Sequence, residues 1–356
     1  MRLLRPPPLV IPLTLSNKYT TTTSSSGSFN PQTYHSSALH KFRTTPPRHI
    51  PAILTPDRSL RLTESIQPFG SPSPSSLKTL PQGHHMVYFE PVLGPHEKML
   101  DGTDVAHWPG GPFVRRMWAG GSVTFHEPSY SQLAILDGKT EMVCVERVKS
   151  DQDSDVSVRL SERDPEGGAD KVFVELEREY HLGGINDSKE EKTKRVTVME
   201  EKRRLVFMKE RKTRVGDDAS QAKSVKAPWK ADYTFPLMPT EELLRTFSDL
   251  TNNAHLIHLD REYAQKEEGY KDVLVQGPLT LVLMLVALRG QGGAIKEIEY
   301  RNLSPLFSNE PLEVCLKRNA KRQGEREGEQ SWAVWIEGPE GRLAVRGRAV
   351  TFGDVI

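Results

Sequence analysis

Two histidines and an asparagine lie close together in one polar segment of the chain. Asn253, His255 and His258 belong to the stretch N-N-A-H-L-I-H. An imidazole changes its charge near neutral pH and can both take up and release a proton. An asparagine amide can hold a hydroxyl group or a water molecule without ionising. These residue types are candidates for acid–base chemistry, with His258 as the proton-transferring group and Asn253 as its polar partner.

Simpler interpretations of the two histidines stay open. His258 could be a structural histidine whose ring is satisfied by the backbone. His255 and His258 are three residues apart and could share a helical face as metal ligands, although the sequence places no third ligand beside them. No C-x-x-C, P-loop, Rossmann fingerprint, G-x-S-x-G or H-E-x-x-H motif occurs, which argues against the commonest zinc, nucleotide and esterase sites. We therefore expect neither a metal nor a bound cofactor.

An apolar segment after this motif predicts a buried helix over Gly277–Arg289. Pro278 suits the first turn of a helix, Arg289 lies in the last turn, and a glycine follows. Every side chain between these ends except Thr280 is apolar, and a helix without a polar face is buried on all sides. Four strand candidates follow it, Ile295–Tyr300, Leu312–Lys317, Trp332–Glu337 and Leu343–Phe352. This order predicts an antiparallel sheet curled around one central helix.

Further elements are predicted on either side of the motif. Helices are expected at Glu241–Leu250 and Arg261–Lys266, each preceded by a capping residue, and another begins at Thr55-Pro56-Asp57. The stretch Gly83–Gly121 is rich in Gly, Pro and His and is expected to be loop-rich. Strand candidates in the first half are Glu141–Val148, Lys171–Leu176 and Arg203–Met208. A change in composition places a domain boundary near residue 226.

The N-terminus has the composition of a targeting segment. The first 56 residues contain no acidic residue, six Lys or Arg and many Ser and Thr, which is typical of an organelle transit peptide. A secretory signal is the rival interpretation, but Pro12 interrupts its apolar stretch. We predict a disordered mitochondrial transit segment over residues 1–54, an N-terminal half over 55–226 and a C-terminal half over 227–356.

The overall composition excludes several classes of protein. The 356 residues carry 48 Lys and Arg against 47 Asp and Glu, a net charge of +1, so no global charge favours nucleic acid or an anionic membrane as a partner. Two cysteines cannot form a disulfide framework. No apolar run reaches the roughly 18 residues that span a bilayer. We expect a protein without nucleic-acid partners, disulfides or membrane spans.

Two segments of the chain resemble a known family. Arg245–Leu279 is similar to the hydratase motif of the MaoC-like dehydratases, and His258 falls on the catalytic histidine of that family. Gly83–Ser122, which contains F-V-R-R-M-W-A-G-G, resembles the fungal mitochondrial type 2 hydroxyacyl-thioester dehydratases. The resemblance extends from about residue 80 to residue 352. It implies an α+β double hot-dog fold, in which each half is an antiparallel sheet wrapped around a central helix and only the C-terminal half is catalytic.

One position departs from the wider family. Asn253 stands where that family has its catalytic Asp, and His255 stands where it has an Asn. Because an amide takes up no proton, a two-residue acid–base scheme cannot be carried over intact. The type 2 branch is similar to this chain in its N-x-H-x-x-H pattern, so the change does not by itself imply an inactive enzyme.

The resemblance implies dehydration of a 3-hydroxyacyl thioester on acyl carrier protein, in type II fatty acid synthesis of the mitochondrial matrix. His258 would act as base and then as acid, and Asn253 would hold the hydroxyl group. The N–H of Gly277, at the start of the predicted helix, would stabilise negative charge on the thioester oxygen, although Gly277 could equally be a simple helix start.

A second group of residues would bind the carrier. Arg115, Arg116 and Trp118 would meet its phosphate or pantetheine arm, or else they would pack the two halves together. Two alternative functions stay open: an enoyl-CoA or mesaconyl-CoA hydratase with the same residues, and a non-catalytic acyl-binding or assembly partner. The substrate carrier would be acyl carrier protein or CoA, and a homodimer is compatible with this interpretation.

Overall fold

The structure of the protein, a computed structural model, describes eight parts of the chain, residues 30–67, 78–135, 138–149, 158–160, 171–210, 225–291, 293–320 and 328–352. The helices in these parts are α1 (Pro31–Thr44), α2 (Pro56–Ser65), α3 (Lys189–Thr193), α4 (Glu241–Leu250), α5 (Arg261–Lys266) and α6 (Gly277–Arg289). The strands are β1 (Arg48–Ile53), β2 (Phe113–Phe125), β3 (Glu141–Val148), β4 (Val158–Leu160), β5 (Lys171–Leu182), β6 (Thr197–Lys209), β7 (Tyr233–Leu237), β8 (Ile295–Asn302), β9 (Leu312–Arg318), β10 (Glu329–Gly338) and β11 (Arg342–Phe352). They form one antiparallel sheet in the order β1-β3-β5-β6-β2-β8-β11-β10-β9-β7, and β4 pairs with β5.

Strand β2 joins the two halves of the molecule. It pairs with β6 of the first half on one side and with β8 of the second half on the other. Two glycines permit this close pairing: a Cβ on Gly120 would lie 2.3 Å from the carbonyl oxygen of Tyr300, and a Cβ on Gly121 would lie 2.0 Å from that of Lys202. The expectation of a loop-rich stretch over Gly83–Gly121 is therefore wrong for its last part, where the glycines are strand residues.

Helix α6 has the predicted bounds and lies at the centre of the second half. Every residue from Pro278 to Leu288 is buried. The helix shares one hydrophobic cluster with residues of both halves, among them Val123 of β2 and Tyr180 of β5. No helix in the described parts of the chain is long and apolar enough to cross a membrane. A sheet wrapped around a buried helix confirms the predicted α+β hot-dog fold.

The centre of the first half is built differently. Between residues 78 and 112 the chain makes only short 3₁₀ turns, and the turn His84–Val87 is buried over its whole length. A Cβ on Gly83, just before this turn, would lie 3.3 Å from Leu285 of α6. The first half therefore has a short turn packed against α6 in the region where the second half has its long helix.

Residues 30–53 belong to the folded structure, so the prediction of one disordered segment over residues 1–54 is wrong for this portion. Ala38 and Phe42 of α1 are 2% and 3% exposed and pack against apolar side chains of β5 and β6. The composition was misleading because the few apolar residues of α1 recur every four positions and so share one buried face.

Strand β1 ties the same segment to the sheet. It pairs with β3 along its whole length, and its Arg48 lies 2.7 Å from the carboxylate of Asp104. Residues 1–29 lie outside the described parts of the chain, so a transit role for them stays a prediction. The boundary near residue 226 also stays a prediction, since β2 and β8 join the two halves into one sheet.

Candidate active site

A cavity of about 910 Å³ lies at the junction of the two halves. Strands β2, β5 and β6 of the first half line it, together with the polar motif, the start of α6 and β8 of the second half. Six residues singled out from the sequence are among its lining residues: Arg116, Trp118, Asn253, His255, His258 and Gly277. The fold therefore brings the motif, the helix start and β2 to one cavity, and the roles assigned to these residues stay predictions.

One ring nitrogen of His258 is held by the backbone. Its Nδ1 lies 2.8 Å from the carbonyl oxygen of Leu274. A carbonyl oxygen can only accept a hydrogen bond, so Nδ1 carries the proton of the neutral ring. Nε2 is then unprotonated and is the nitrogen that can act as a base.

Burial keeps both histidines of the motif neutral. It lowers the pKa of His258 from 6.5 to about 4; the hydrogen bond to Leu274 opposes this shift, and the positive charge of Arg116 adds to it. The pKa of His255 is held well below its ordinary value by burial first, and then by His258 and Arg116. At neutral pH His258 is therefore in the form that accepts a proton.

Asn253 is oriented by the backbone around it. Its Oδ1 accepts the N–H of His255 at 3.3 Å, and its own N–H donates to the carbonyl oxygen of Ser248 at 2.9 Å. Within the described residues Nδ2 donates no hydrogen bond, and the side chain is half-buried at the wall of the cavity. Nδ2 is therefore available to donate to an oxygen atom of a bound substrate.

Asp101 is a residue of this site that the sequence analysis missed. It belongs to the first half, is 6% exposed, and its Oδ2 lies 3.4 Å from Nε2 of His255. Both the N–H and the hydroxyl of Thr103 donate to its other oxygen, Oδ1. The D-G-T sequence indicates a turn with a side-chain hydrogen bond. Nothing in the local sequence indicates that this turn contacts the histidine motif, which lies far along the chain.

Gly277 is required by packing as well as by its position. It is the first residue of α6, and a Cβ there would lie 2.7 Å from the Cβ of Trp118. The indole N–H of Trp118 donates to the hydroxyl of Tyr300 at 2.8 Å. Trp118 therefore covers the start of α6 and lines the cavity at the same time.

The two neighbouring arginines of β2 differ in their contacts. Arg115 lies 2.6 Å from the carboxylate of Glu268 and is not among the lining residues of the cavity, which favours the packing alternative for it. Arg116 lines the cavity and, within the described residues, makes neither a hydrogen bond nor an ion pair. Its guanidinium group is therefore available to an anionic group of a ligand.

Two groups of side chains within the described residues have the proximity of metal ligands. They are Asp104, His107 and Glu146, and Glu313, Cys315 and Glu337. Neither group contains a histidine of the motif. The first group already has a cation beside it, since Arg48 lies 2.7 Å from Asp104 and 3.7 Å from Glu146.

Comparison with known proteins identifies the family of the chain. The family model for hydroxyacyl-thioester dehydratase type 2 matches residues 83–308, a range that contains the whole motif, β2 and α6. A mitochondrial hydroxyacyl-thioester dehydratase type 2 from Schizosaccharomyces pombe is 26% identical over 255 residues, which is 68% of this chain and 79% of that protein. A mesaconyl-C(4)-CoA hydratase from Chloroflexus aurantiacus is 28% identical over 260 residues, 72% of this chain and 80% of that protein.

The fold has solved relatives as well. The structure of a MaoC-like dehydratase from Phytophthora capsici superposes with a TM-score of 0.57 at 14% identity, covering 89% of this chain and 99% of that one. At that sequence identity the structural similarity shows only the fold. The reaction class follows from the match to the family model. The chain therefore belongs to the hydroxyacyl-thioester dehydratase type 2 family, and it is a hydro-lyase with the hot-dog fold.

Proposed function

We propose that the protein dehydrates 3-hydroxyacyl thioesters on acyl carrier protein to trans-2-enoyl thioesters and water, in type II fatty acid synthesis of the mitochondrial matrix. The observation that carries the proposal is the tautomer of His258. Its Nδ1 is held by Leu274, and its Nε2 is a base at the wall of a cavity that an amide and a helix start also line.

The chemistry follows from these three groups. Nε2 of His258 takes the C2 proton of the substrate, and the electron pair of the C2–H bond forms the double bond as the C3–O bond breaks. The C3 hydroxyl leaves as water with a proton from a second acid–base group of the site. Nδ2 of Asn253 donates a hydrogen bond to the departing oxygen. The N–H groups at the first turn of α6 have no partner within the helix, and the helix dipole favours negative charge there. They stabilise the charge that develops on the thioester oxygen.

The mitochondrial part of the proposal is supported by a relative and by composition. The relative from Schizosaccharomyces pombe is named as mitochondrial, and residues 1–29 contain basic residues and no acidic one. Residues 1–29 fused to a fluorescent protein are expected to direct it to mitochondria. A fluorescent protein that stayed in the cytosol would contradict this assignment.

The reaction is tested by measuring turnover on both carriers. Crotonyl and 3-hydroxybutyryl groups are presented to the full chain on CoA and on acyl carrier protein, with His258→Ala as the blank. We expect turnover in both directions and a higher kcat/KM on the carrier protein. Binding without turnover would instead identify a non-catalytic acyl-binding partner, and a higher kcat/KM on CoA would identify a CoA hydratase.

Arg116 favours a second candidate, a hydratase of acyl-CoA substrates that carry a carboxylate, as in the mesaconyl-C(4)-CoA hydratase relative. A half-buried guanidinium group that makes no hydrogen bond or ion pair with the described residues suits a carboxylate better than an alkyl chain. Arg116 also lines a small second cavity of about 80 Å³ next to the large one. In this case Arg116→Met should lower kcat/KM for a mesaconyl thioester by at least tenfold and leave crotonyl-CoA unchanged, whereas equal losses on both substrates would exclude carboxylate recognition.

A further inference from the structure

The catalytic carboxylate of the wider family has no counterpart in the motif of this chain, because Asn253 occupies its position. The site nevertheless contains a carboxylate, which comes from the first half. Asp101 is buried, and its Oδ2 has no hydrogen bond within the described residues. The basic atom beside it is Nε2 of His255, at 3.4 Å. Such a distance in the absence of substrate commonly shortens to a hydrogen bond in the reactive complex.

The turn that carries Asp101 is fixed against the backbone of the motif. The carbonyl oxygen of Asp101 accepts the N–H of Leu256 at 2.9 Å. Gly102 packs so closely that a Cβ there would lie 2.1 Å from the carbonyl oxygen of Ala254, and its φ of +83° is one that glycine adopts readily. These contacts hold the carboxylate at His255 independently of its own side-chain contact.

The carboxylate is oriented as well as placed. Two donors of Thr103 hold its Oδ1, at 2.9 Å from the N–H and 2.7 Å from the hydroxyl, so that Oδ2 is the oxygen directed at the motif. The ring of His255 stands edge-on to that of His258, with their centres 5.4 Å apart. Both rings line the large cavity. The two rings are therefore neighbours at one wall of the cavity, and the carboxylate adjoins His255 without lining the cavity itself.

We propose that Asp101 is a positioning residue that acts through His255, and that His255 supplies the second acid–base group of the site. This inference rests on the proposed dehydration. The carboxylate accepts the Nε2–H of His255, which leaves Nδ1 as the nitrogen for the substrate and stabilises the ring when it is protonated. The pair thus takes the role of the missing carboxylate at position 253.

The proton balance of one turnover is closed. In the resting site both rings are neutral. When substrate binds, Nδ1 of His255 takes up one proton from solvent beside the Asp101 carboxylate, and it gives this proton to the C3 hydroxyl as the C3–O bond breaks and water leaves. Nε2 of His258 takes the C2 proton, and the electron pair of the C2–H bond becomes the double bond. One proton has then moved from His255 to His258, and exchange with solvent restores both rings before the next turnover.

A double-mutant cycle tests this inference. In the full chain, Asp101→Asn keeps the size of the side chain and removes its charge, and His255→Gln removes the imidazole. Each is expected to lower kcat by on the order of 10²-fold, with KM changed by less than about threefold, as for loss of one group in acid–base catalysis. Because Asp101 acts through His255, the double variant should be no slower than His255→Gln alone.

The control is Asp104→Asn, three residues along the same loop. Asp104 is as buried as Asp101 but contacts Arg48 and His107 rather than the motif. It should lower the melting temperature without changing kcat per folded molecule. Equal kcat in Asp101→Asn and wild type, or losses that multiply in the double variant, would overturn the role of Asp101. A wild-type chain without turnover on any thioester would instead refute the proposed function itself.

Discussion

Leu274 holds His258 from two directions. Its carbonyl oxygen accepts the Nδ1–H of His258 at 2.8 Å, and its N–H donates to the carbonyl oxygen of the preceding residue, Ile257, at 2.9 Å. The histidine and the segment before α6 are thereby locked together. The same pair of bonds fixes the orientation of the ring and leaves Nε2 as its only basic nitrogen.

Replacement of this histidine tests its role as the base. His258→Ala should reduce kcat by on the order of 10²–10⁴-fold. It also leaves the carbonyl oxygen of Leu274 buried without a donor, which costs about 1–3 kcal/mol of stability. Turnover must therefore be measured per folded molecule. His84→Ala removes a buried histidine outside both cavities and should lower stability alone; if the two variants had equal kcat, His258 would be structural.

The amide of Asn253 has two functions that a pair of variants can separate. Oδ1 accepts the N–H of His255, which an aspartate can also do, and Nδ2 makes no hydrogen bond with the described residues and is the proposed donor to the substrate. Asn253→Ala removes both and should lower kcat by on the order of 10²-fold, the loss expected for one oriented donor in the transition state. Asn253→Asp restores the residue of the wider family and should retain more activity. Wild-type kcat in the alanine variant would eliminate the proposed role.

The contact between Gly277 and Trp118 predicts intolerance to the smallest side chain. In Gly277→Ala the new Cβ would overlap with the Cβ of Trp118, so that the start of α6 must shift. We expect about 1–3 kcal/mol of lost stability and a lower kcat, measured by denaturant unfolding and by turnover. Gly111→Ala is the control, since nothing lies within 4 Å of a Cβ there. Equal stability of the two variants would contradict the packing described here.

The position of α1 and β1 predicts where the chain can be shortened. A chain that starts at residue 30 retains α1 and β1 and serves as the reference. A chain that starts at residue 55 loses Phe42 and Ile50, both buried, and burial of each contributes about 1.5–3 kcal/mol. It should lose at least about 3 kcal/mol. A stable, active chain starting at residue 55 would show that α1 and β1 are dispensable.

Buried neutral histidines make the protein sensitive to acid. Burial lowers the pKa of His85 from 6.5 to about 4 in the folded chain, and unfolding restores the ordinary value. Below pH 6.5 the unfolded chain therefore binds a proton that the folded chain does not bind. The free energy of unfolding falls as the pH drops toward 4. One such histidine contributes on the order of 3 kcal/mol.

A single variant checks this effect. His85 packs edge-on against Phe125 and Tyr180, and neither of its ring nitrogens has a partner within the described residues. His85→Phe should keep these contacts and make the free energy of unfolding fall less steeply between pH 6.5 and 4. If His85→Phe left the slope unchanged, His85 would not be a source of the acid sensitivity.

The helices and strands whose ends are marked by local residues are predictable from the sequence. Helix α6 was predicted with its bounds because proline, glycine and a basic last turn mark its ends and because its side chains leave no polar face. Helices α4 and α5 and strand β3 were likewise predicted with their bounds. The motif of Asn253 and His258 could be recognised too, because its polar residues are neighbours in sequence.

The way in which the two halves meet depends on contacts between distant segments and is not predictable from the sequence. Strand β2 lacks an alternating apolar pattern. It is a strand because its backbone pairs with neighbouring strands on both sides, which Gly120 and Gly121 permit. The first portion of the chain was predicted to be disordered because two apolar residues of α1 hardly change its composition. The same two residues are buried and hold the helix against the sheet. The carboxylate at His255 could not be predicted at all. Asp101 lies in a loop turn of the first half that packs directly against the motif, and contact between segments so far apart in sequence depends on the whole fold rather than on any local pattern.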